Sequence, residues 1–352
     1  MDRTQLSVVV CGNYGYRTHQ IDGQTMKTRV LKDALVDVVG AAQVRVVDSS
    51  IFPVSPVRFL YEVRKGFQEC SRVVMLPGCR GLQVLLPLFL HWKRKWDRPL
   101  HYVVIGGWLP TLLAGKSRLR RCCAELDGIY VETSSMAEKL YKLGLHNVDV
   151  LPNFRKFDRV KNWTFVPPGS PLKLVFYSRV IREKGVEEAV AAVQQLNKNC
   201  SDGVRVILDI FGPVPGRYAN NLKRLLLNSR HVNYRGVLAP DEAYEVLHGY
   251  DLLVFPTFYE GEGFPGTLLD ACISGLPVIA SDWKYNREVV EEGRTGVFSR
   301  VHSVDDIVAH VEAFIAHPDR IMKMRQYCLE NARNFHVETV IDKLIGAKGR
   351  KK

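Results

Sequence analysis

The residues best suited to do chemistry are two acids that flank a glycine-rich turn. Glu262 and Asp270 lie eight positions apart, with Gly263-Phe264-Pro265-Gly266-Thr267 between them. Glycine lets a backbone approach a ligand closely, and the N–H groups that open a helix carry partial positive charge. The segment therefore suits a diphosphate at the helix start, with the two carboxylates accepting hydrogen bonds from sugar hydroxyls.

A second candidate group is a pair of cations at another predicted strand-to-helix turn. Arg179 and Lys184 follow the apolar run Lys173–Tyr177 and precede the amphipathic stretch Val186–Leu196. Two fixed cations suit a diphosphate, because each charge-assisted contact contributes roughly 1.5–3 kcal/mol. Taken alone, the pair fits two surface charges equally well, just as Glu262 alone fits a solvated helix cap.

The strands and helices that must position these groups are predicted to form α/β layers. Short apolar runs alternate with amphipathic stretches throughout, which predicts parallel sheets covered by helices. A length of 352 residues, with 46% hydrophobic and 24% charged residues, is typical of a soluble protein of two domains. Strands are predicted at Gln5–Cys11, Val44–Asp48, Arg72–Leu76, Tyr102–Ile105, Gly128–Val131, Asp149–Leu151, Lys173–Tyr177, Val204–Phe211, Val232–Tyr234 and Leu252–Phe255.

Taken together, the motifs resemble glycosyltransferase family 4, the group-1 family of retaining enzymes. The spacing from Glu262 to Asp270 matches the family's acidic pair, and the run Gly275–Ala280 matches its next strand. Glu260 fails the same test, because Leu268 lies eight residues after it. One departure is Asp270 itself, since the family usually has Glu at this position.

The resemblance implies the GT-B fold, with two Rossmann-like domains facing a central cleft. Residues 1–165 would bind the acceptor, residues 166–335 would bind the nucleotide sugar, and a helix within 336–352 would pack back on the first domain. Leu151-Pro152-Asn153-Phe154 resembles the segment that closes the family's first domain.

The resemblance also assigns roles to individual residues. Glu262 would face the transferred sugar, Arg179 and Lys184 would hold the donor diphosphate, and Asp270 would anchor the ribose. The turn from Gly263 to Thr267 and the loop containing Gly15 would complete the donor site. A nucleotide diphosphate sugar would be the co-substrate, with no cofactor and no metal.

Near the N-terminus, the run from Asp22 to Arg29 resembles a bacterial surface-polysaccharide subgroup of the family. Gln24, Thr25 and Lys27 would then line the cleft; the alternative is an ordinary capped helix with Lys27 in solvent.

A family histidine expected after the strand Tyr102–Ile105 is replaced by Gly106-Gly107-Trp108. No histidine role carries over there. Gly107 would expose backbone to the sugar, and Trp108 either stacks on the acceptor or belongs to the core.

Several observations argue against metal-dependent or secreted classes. The chain contains no Asp-x-Asp motif, and its eight cysteines include no Cys-x-x-Cys pair. No secretory signal is recognised, so a cytoplasmic protein with reduced thiols is expected. The apolar patch Gly81–Trp92 is too short to span a bilayer.

Positive charge is concentrated in the first half of the chain. Residues 1–165 hold 25 Lys and Arg against 14 acids, whereas residues 166–352 hold 24 against 23. The segment Leu88–Trp96 mixes aromatic residues with cations, and Lys116, Arg118, Arg120 and Arg121 form a second basic cluster. Both suit peripheral contact with an anionic membrane, or simply a solvated basic face. No nucleic-acid recognition motif is present.

The sequence therefore predicts a retaining, metal-independent hexosyltransferase. It would act on a lipid-linked saccharide in cell-surface polysaccharide biosynthesis, such as a capsule or exopolysaccharide, in the cytoplasm or at the inner face of the cytoplasmic membrane. Two alternatives remain: a GT-B-like nucleotide-sugar epimerase, which would need acid and base residues that the sequence does not identify, and a non-catalytic nucleotide- or glycan-binding relative.

Overall fold

The computed structural model describes residues 6–16, 23–157, 163–198, 203–239 and 242–337, with Ile341 and Leu344. The chain forms two compact units, Met1–Lys156 with Phe335–Lys352, and Phe157–Asn334.

The division falls after Lys156 rather than at the predicted residue 165. Its physical reason is that Trp163 and Phe165 already pack on the second unit. Trp163 Nε1 donates a hydrogen bond to the carbonyl of Ile273, and both aromatic rings contact His248.

In the first unit, six parallel strands form one sheet in the order β2-β1-β3-β4-β5-β6. The strands are β1 (Val8–Gly12), β2 (Val44–Asp48), β3 (Arg72–Leu76), β4 (Leu100–Val103), β5 (Gly128–Val131) and β6 (Val148–Val150). The helices are α1 (Gly23–Val39), α2 (Pro56–Glu69), α3 (Cys79–Trp96), α4 (Leu109–Ala114), α5 (Ser117–Ala124) and α6 (Ser134–Lys142).

The core of this unit is built from continuous apolar strands. All five residues of β1 are buried, as expected for a central parallel strand covered on both faces. Leu31 and Leu35 of α1 pack on it, and Val337, Ile341 and Leu344 from the end of the chain join the same hydrophobic cluster. The final segment thus contributes to the first unit's core.

In the second unit, six parallel strands form a sheet in the order β12-β11-β10-β7-β8-β9. They are β7 (Leu172–Tyr177), β8 (Val206–Phe211), β9 (Val232–Gly236), β10 (Leu252–Phe255), β11 (Val278–Ser281) and β12 (Gly296–Ser299). The helices are α7 (Val186–Asn197), α8 (Gly216–Leu227), α9 (Ala243–His248), α10 (Gly266–Ile273), α11 (Val304–Ala316) and α12 (Asp319–Ala332).

The predicted fold class is confirmed, since both units are parallel α/β sheets of the Rossmann-like kind. Strand positions agree closely with the sequence, and β10 has the predicted bounds. β4 is displaced by two residues, since it starts at Leu100 and ends at Val103 rather than running from Tyr102 to Ile105, and β1 starts at Val8 rather than at the predicted Gln5.

In each sheet, the order in which the chain adds strands reverses at one place. From β7 the chain adds β8 and β9 on one side and then returns to β10 on the other; from β1 it adds β2 and then crosses to β3. The turns that follow the two central strands therefore diverge at the carboxyl edge of the sheet. In open α/β sheets, such switch points are where ligands bind.

Gly185 lets the turns after β7 and β10 meet. It has φ +80°, and a Cβ added there would lie 2.2 Å from the carbonyl oxygen of Pro256. Any other residue would carry left-handed strain and would also push the two turns apart.

We predict that Gly185→Ala destabilises the protein by about 2–5 kcal/mol, because strain and overpacking add. Gly293 is the matched control: it has φ +75° but no atom within 4 Å of an added Cβ. Gly293→Ala should cost only about 1–2 kcal/mol. Urea unfolding of both variants measures the difference, and equal costs would contradict the close approach to Pro256.

Candidate active site

The site lies at the switch point of the second sheet. After β7, the chain passes Arg179 and a short 3₁₀ turn at Arg182–Lys184 before entering α7. After β10, it passes the stretch 256–265 before entering α10. Because β7 and β10 are neighbours, the two turns lie side by side.

The centre of the site is a buried ion pair. Lys184 Nζ lies 2.5 Å from Glu262 Oε2, and each side chain is only 8% exposed. A buried charge needs a partner, because the interior solvates it poorly. Two residues predicted from separate motifs are thus brought into direct contact.

Thr257 holds the same carboxylate from within the turn that carries Glu262. Its Oγ1 lies 3.0 Å from Glu262 Oε2 and 3.3 Å from the carbonyl oxygen of Glu183, and it accepts a hydrogen bond from the Tyr259 N–H at 3.3 Å. The hydroxyl has a single hydrogen, and the shorter contact is to Glu262. Sequence reasoning missed Thr257; its signal is a polar residue two positions after the apolar strand β10.

The ring of Tyr259 lies close to both predicted cations. The Arg179 guanidinium carbon and Lys184 Nζ each lie 5.0 Å from the centre of its ring, within reach of a cation–π interaction. Arg179 is exposed, whereas Lys184 is buried. Trp283 Nε1 donates to the carbonyl of Tyr259 at 2.9 Å, which anchors this turn to the next one along the sheet.

The structure separates the two neighbouring glutamates clearly. Glu260 is 78% exposed and pairs with Lys284 at 2.7 Å. Glu262 is buried against Lys184 and Thr257. Surface ion pairs contribute little, so Glu260 is an ordinary surface residue in this arrangement.

The predicted donor segment lies beside the pair. Gly263, Phe264 and Pro265 are buried, and α10 begins at Gly266. Among the described residues, the N–H groups of Gly266 and Thr267 have no protein acceptor, as expected at a helix start.

Asp270 lies on α10, one turn after Gly266. It is buried, and its carbonyl oxygen accepts hydrogen bonds from the N–H and the hydroxyl of Ser274. The structure therefore places the second acid of the motif on the helix that the glycine-rich turn opens.

The predicted N-terminal residues lie at the switch point of the first sheet. Gly15 follows β1 in a left-handed conformation (φ +64°), and its N–H donates to Asn13 Oδ1. Gln24 Nε2 lies 3.4 Å from the carbonyl oxygen of Leu76, the last residue of β3. Thr25 is buried.

Lys27 is buried rather than in solvent, so the solvent-exposed alternative is wrong. Its Nζ lies 2.7 Å from Glu132 Oε1, with side-chain exposures of 1% and 3%. Burial lowers the pKa of Lys27, and the charge of Glu132 opposes that shift. Glu132 was not foreseen, although an acid directly after the apolar strand β5 was a visible signal.

The same glutamate holds the loop that replaces the family histidine. Glu132 Oε2 accepts a hydrogen bond from the Gly106 N–H at 3.1 Å. Gly107 and Trp108 are both half-buried, and Trp108 Nε1 donates to the carbonyl of Ile105 at 2.8 Å. Trp108 is therefore neither a core residue nor fully exposed.

Within the described part of the chain, no group of three or more His, Cys, Asp or Glu residues could hold a metal ion. No helix among those same residues is long and apolar enough to cross a membrane.

Comparisons with known proteins agree with the motifs. The model of the family described as glycosyl transferases group 1 matches residues 160–335. A GtfA subunit of the UDP-N-acetylglucosamine–peptide N-acetylglucosaminyltransferase of Streptococcus gordonii is 30% identical over 175 residues, 48% of this chain and 33% of that protein. A D-inositol 3-phosphate glycosyltransferase of Rhodococcus erythropolis is 28% identical over 239 residues, 63% of this chain and 53% of that protein. The chain thus matches about a third to a half of the length of these relatives.

Solved structures resemble the whole chain. Anabaena Alr3699/HepE, in complex with UDP and glucose, has a TM-score of 0.74 at 14% identity, and the match covers 97% of this chain and 99% of that chain. A sucrose-phosphate synthase from Thermosynechococcus elongatus has a TM-score of 0.75 at 13% identity, covering 97% and 98%. At such low identity, the likeness shows the fold alone. Because the family model covers half of the chain, including both motifs of the buried pair, the chain belongs to the glycosyl transferases group 1 family.

Proposed function

We propose that the protein transfers a hexose-type sugar from a nucleotide diphosphate sugar to a hydroxyl group, with retention at the anomeric carbon. The observation that carries the proposal is the buried Lys184–Glu262 pair at the sheet's switch point, flanked by Arg179 and the start of α10. Anabaena HepE, whose structures hold UDP-glucose, supports the class of donor.

The geometry leaves half of the central carboxylate available. Glu262 Oε2 is occupied by Lys184 and Thr257, whereas Oε1 has no partner among the described residues. Oε1 can accept a hydrogen bond from a sugar hydroxyl while Lys184 and Thr257 hold the carboxylate in place. A group held in this way is positioned before the substrate arrives, which lowers the cost of reaching the transition state.

The cations would act on the leaving group. Arg179 is exposed and forms no ion pair among the residues that the structure describes, so its guanidinium can bind phosphate oxygens. The N–H groups of Gly266 and Thr267 add donors at the helix start. As the bond between sugar and phosphate breaks, negative charge grows on the diphosphate, and these fixed positive groups stabilise it. Asp270 would anchor the ribose of the donor.

The acceptor that we propose is a lipid-linked saccharide in cell-surface polysaccharide biosynthesis, used at the inner face of the cytoplasmic membrane. The excess of Lys and Arg in residues 1–165 supports this choice, because such acceptors lie at anionic surfaces. A transfer assay with UDP-sugars and a lipid-linked saccharide tests the function, and NMR of the product reads the anomer. Sugar interconversion without any acceptor would instead identify an epimerase.

We predict that Glu262→Gln lowers kcat by roughly 10²–10³-fold, more than it raises the donor KM, because the lost charge acts as the transition state forms. Glu260→Gln is the matched control and should change either constant by no more than about twofold, since surface ion pairs contribute little. Steady-state kinetics at saturating acceptor compare the two. A dead Glu260→Gln beside an active Glu262→Gln would show that the wrong glutamate was assigned.

Loss of the fold is a separate outcome to control for, because Glu262→Gln leaves Lys184 buried without a counter-charge. The double variant Lys184→Met with Glu262→Gln removes both charges and should unfold at a denaturant concentration closer to that of the parent. It should remain as inactive as the single variant.

Thr257 should act through its hydroxyl. We predict that Thr257→Val, which keeps the shape, lowers kcat by about tenfold, the value of one hydrogen bond to a charged group. Thr257→Ser keeps the hydroxyl and should recover most of the rate. Kinetics and urea unfolding are measured together; if the serine variant is as slow as the valine variant, packing rather than the hydroxyl explains the effect.

Metal independence is a further expectation, because Arg179 and the start of α10 supply positive groups for the diphosphate. Transfer activity should survive EDTA treatment with less than about a twofold loss, well below the effect of removing one catalytic charge. Complete loss with EDTA, recovered by Mn²⁺ or Mg²⁺, would contradict this part of the proposal.

A further inference from the structure

A layer of three helices covers one part of the first unit. In this layer α3 packs against both α2 and α5. The inner side of α3 is apolar, and its Phe89 and Trp92 contact Phe67 of α2. The aromatic residues of the basic segment Leu88–Trp96 therefore face mainly the core, so the membrane contact predicted for this segment would have to use other side chains.

The outer side of the same helices carries a different set of apolar groups. Val57 and Tyr61 lie one turn apart on α2 and are 79% and 59% exposed, and Val84 on α3 is 64% exposed. Val54, just before α2, is exposed as well. Isolated apolar residues on a surface are ordinary, but these four occur in one loop–helix segment and the helix packed against it.

Cations follow the same outer stripes. Arg64 lies one turn beyond Tyr61 on α2, and Arg80 and Lys95 recur at helical spacing with Val84 on α3. All three are exposed. Each exposed apolar residue on these two helices thus has a cation within about two turns of it along its helix.

Acids on the three helices are few and already paired. Lys and Arg number three on α2, four on α3 and three on α5, whereas the only acids are Glu62 and Glu69 of α2. Arg45 of β2 forms ion pairs with both. Just beyond α5, Glu125 pairs with Arg94. On the three helices and at Lys116, just before α5, the exposed bases that form no ion pair with any described residue are Arg58, Arg64, Arg80, Lys95, Lys116, Arg118 and Arg121.

We infer that the outer face of α2 and α3, extended by the basic residues of α5, docks the protein on an anionic lipid bilayer. Val57, Tyr61 and Val84 would enter the headgroup region while the surrounding cations contact lipid phosphates. This assignment rests on the proposed function, in which the acceptor is lipid-linked, and it names the surface that meets the membrane.

A lipid surface fits this face better than nucleic acid does. A groove for nucleic acid needs cations along a backbone path together with aromatic groups for stacking or polar groups for base edges. Here the exposed apolar groups are mainly valines, which neither stack on bases nor donate hydrogen bonds. Aliphatic side chains interspersed with cations match an interface of acyl chains and phosphates.

The test uses the full chain with vesicles of phosphatidylcholine, alone or mixed equally with phosphatidylglycerol. Four variants are compared by co-sedimentation. The charge variant is Arg58→Gln with Arg64→Gln and Lys95→Gln, and the apolar variant is Val57→Ser with Tyr61→Ser and Val84→Ser. A charge-matched control on the second unit is Arg217→Gln with Lys223→Gln and Arg230→Gln. Leu227→Ser, an exposed apolar position on α8, is the control for the apolar variant.

We expect binding to the mixed vesicles and little to phosphatidylcholine alone. Each lost cation should weaken binding about fivefold, so the α2–α3 charge variant should bind roughly a hundredfold more weakly. At high salt, where charge contacts are screened, the apolar variant should bind the mixed vesicles more weakly than the parent does. Both controls should bind as the parent does.

Other outcomes overturn the inference. Equal loss in the charge-matched control would mean that net charge, not this face, is responsible. Binding to a duplex DNA fragment but to neither vesicle would identify nucleic acid as the partner. The transferase proposal is tested separately, by measuring thermal stabilisation by UDP-sugars without vesicles. The two tests are independent, because the α2–α3 substitutions lie outside the donor site.

Discussion

The buried ion pair between Lys184 and Glu262 is the constraint on which the candidate site depends. Burying two charges costs solvation free energy, and removing one partner of such a pair typically costs about 3–5 kcal/mol. The pair is kept because neighbouring groups complete it: Thr257 donates to the same carboxylate oxygen, and the ring of Tyr259 faces the ammonium group. A carboxylate held by two donors on one oxygen presents its other oxygen in a fixed direction.

The backbone makes this pairing possible. Lys184 and Glu262 are 78 residues apart and meet only because β7 and β10 are adjacent at the sheet's switch point. Gly185 allows the turn after β7 to approach Pro256 closely, and Gly212 at the end of β8 similarly approaches the carbonyl of Ser178. The glycines allow the close backbone approach at this edge of the sheet, and the polar side chains form the buried pair and its hydrogen bonds.

The first unit repeats this arrangement with different chemistry. Lys27 and Glu132 form a second buried pair, and the glutamate also holds the Gly106 N–H in the loop that follows β4. A buried pair therefore fixes a loop at the carboxyl edge of each sheet. In the first unit both oxygens of the glutamate are used within the protein, so its role is to position the loop that carries Gly107 and Trp108.

The sequence by itself determined most of the strands, the two C-terminal motifs and the family, and it favoured Glu262 over Glu260, but it did not predict β12. These follow from local signals: continuous apolar runs, glycine-rich turns and residue spacing. Tertiary structure decided the pairings of Lys184 with Glu262 and of Lys27 with Glu132, the contact of Thr257 with Glu262, and the inward direction of Phe89 and Trp92. No local pattern contains this information, because it depends on which strands become neighbours and which face of a helix the sheet buries.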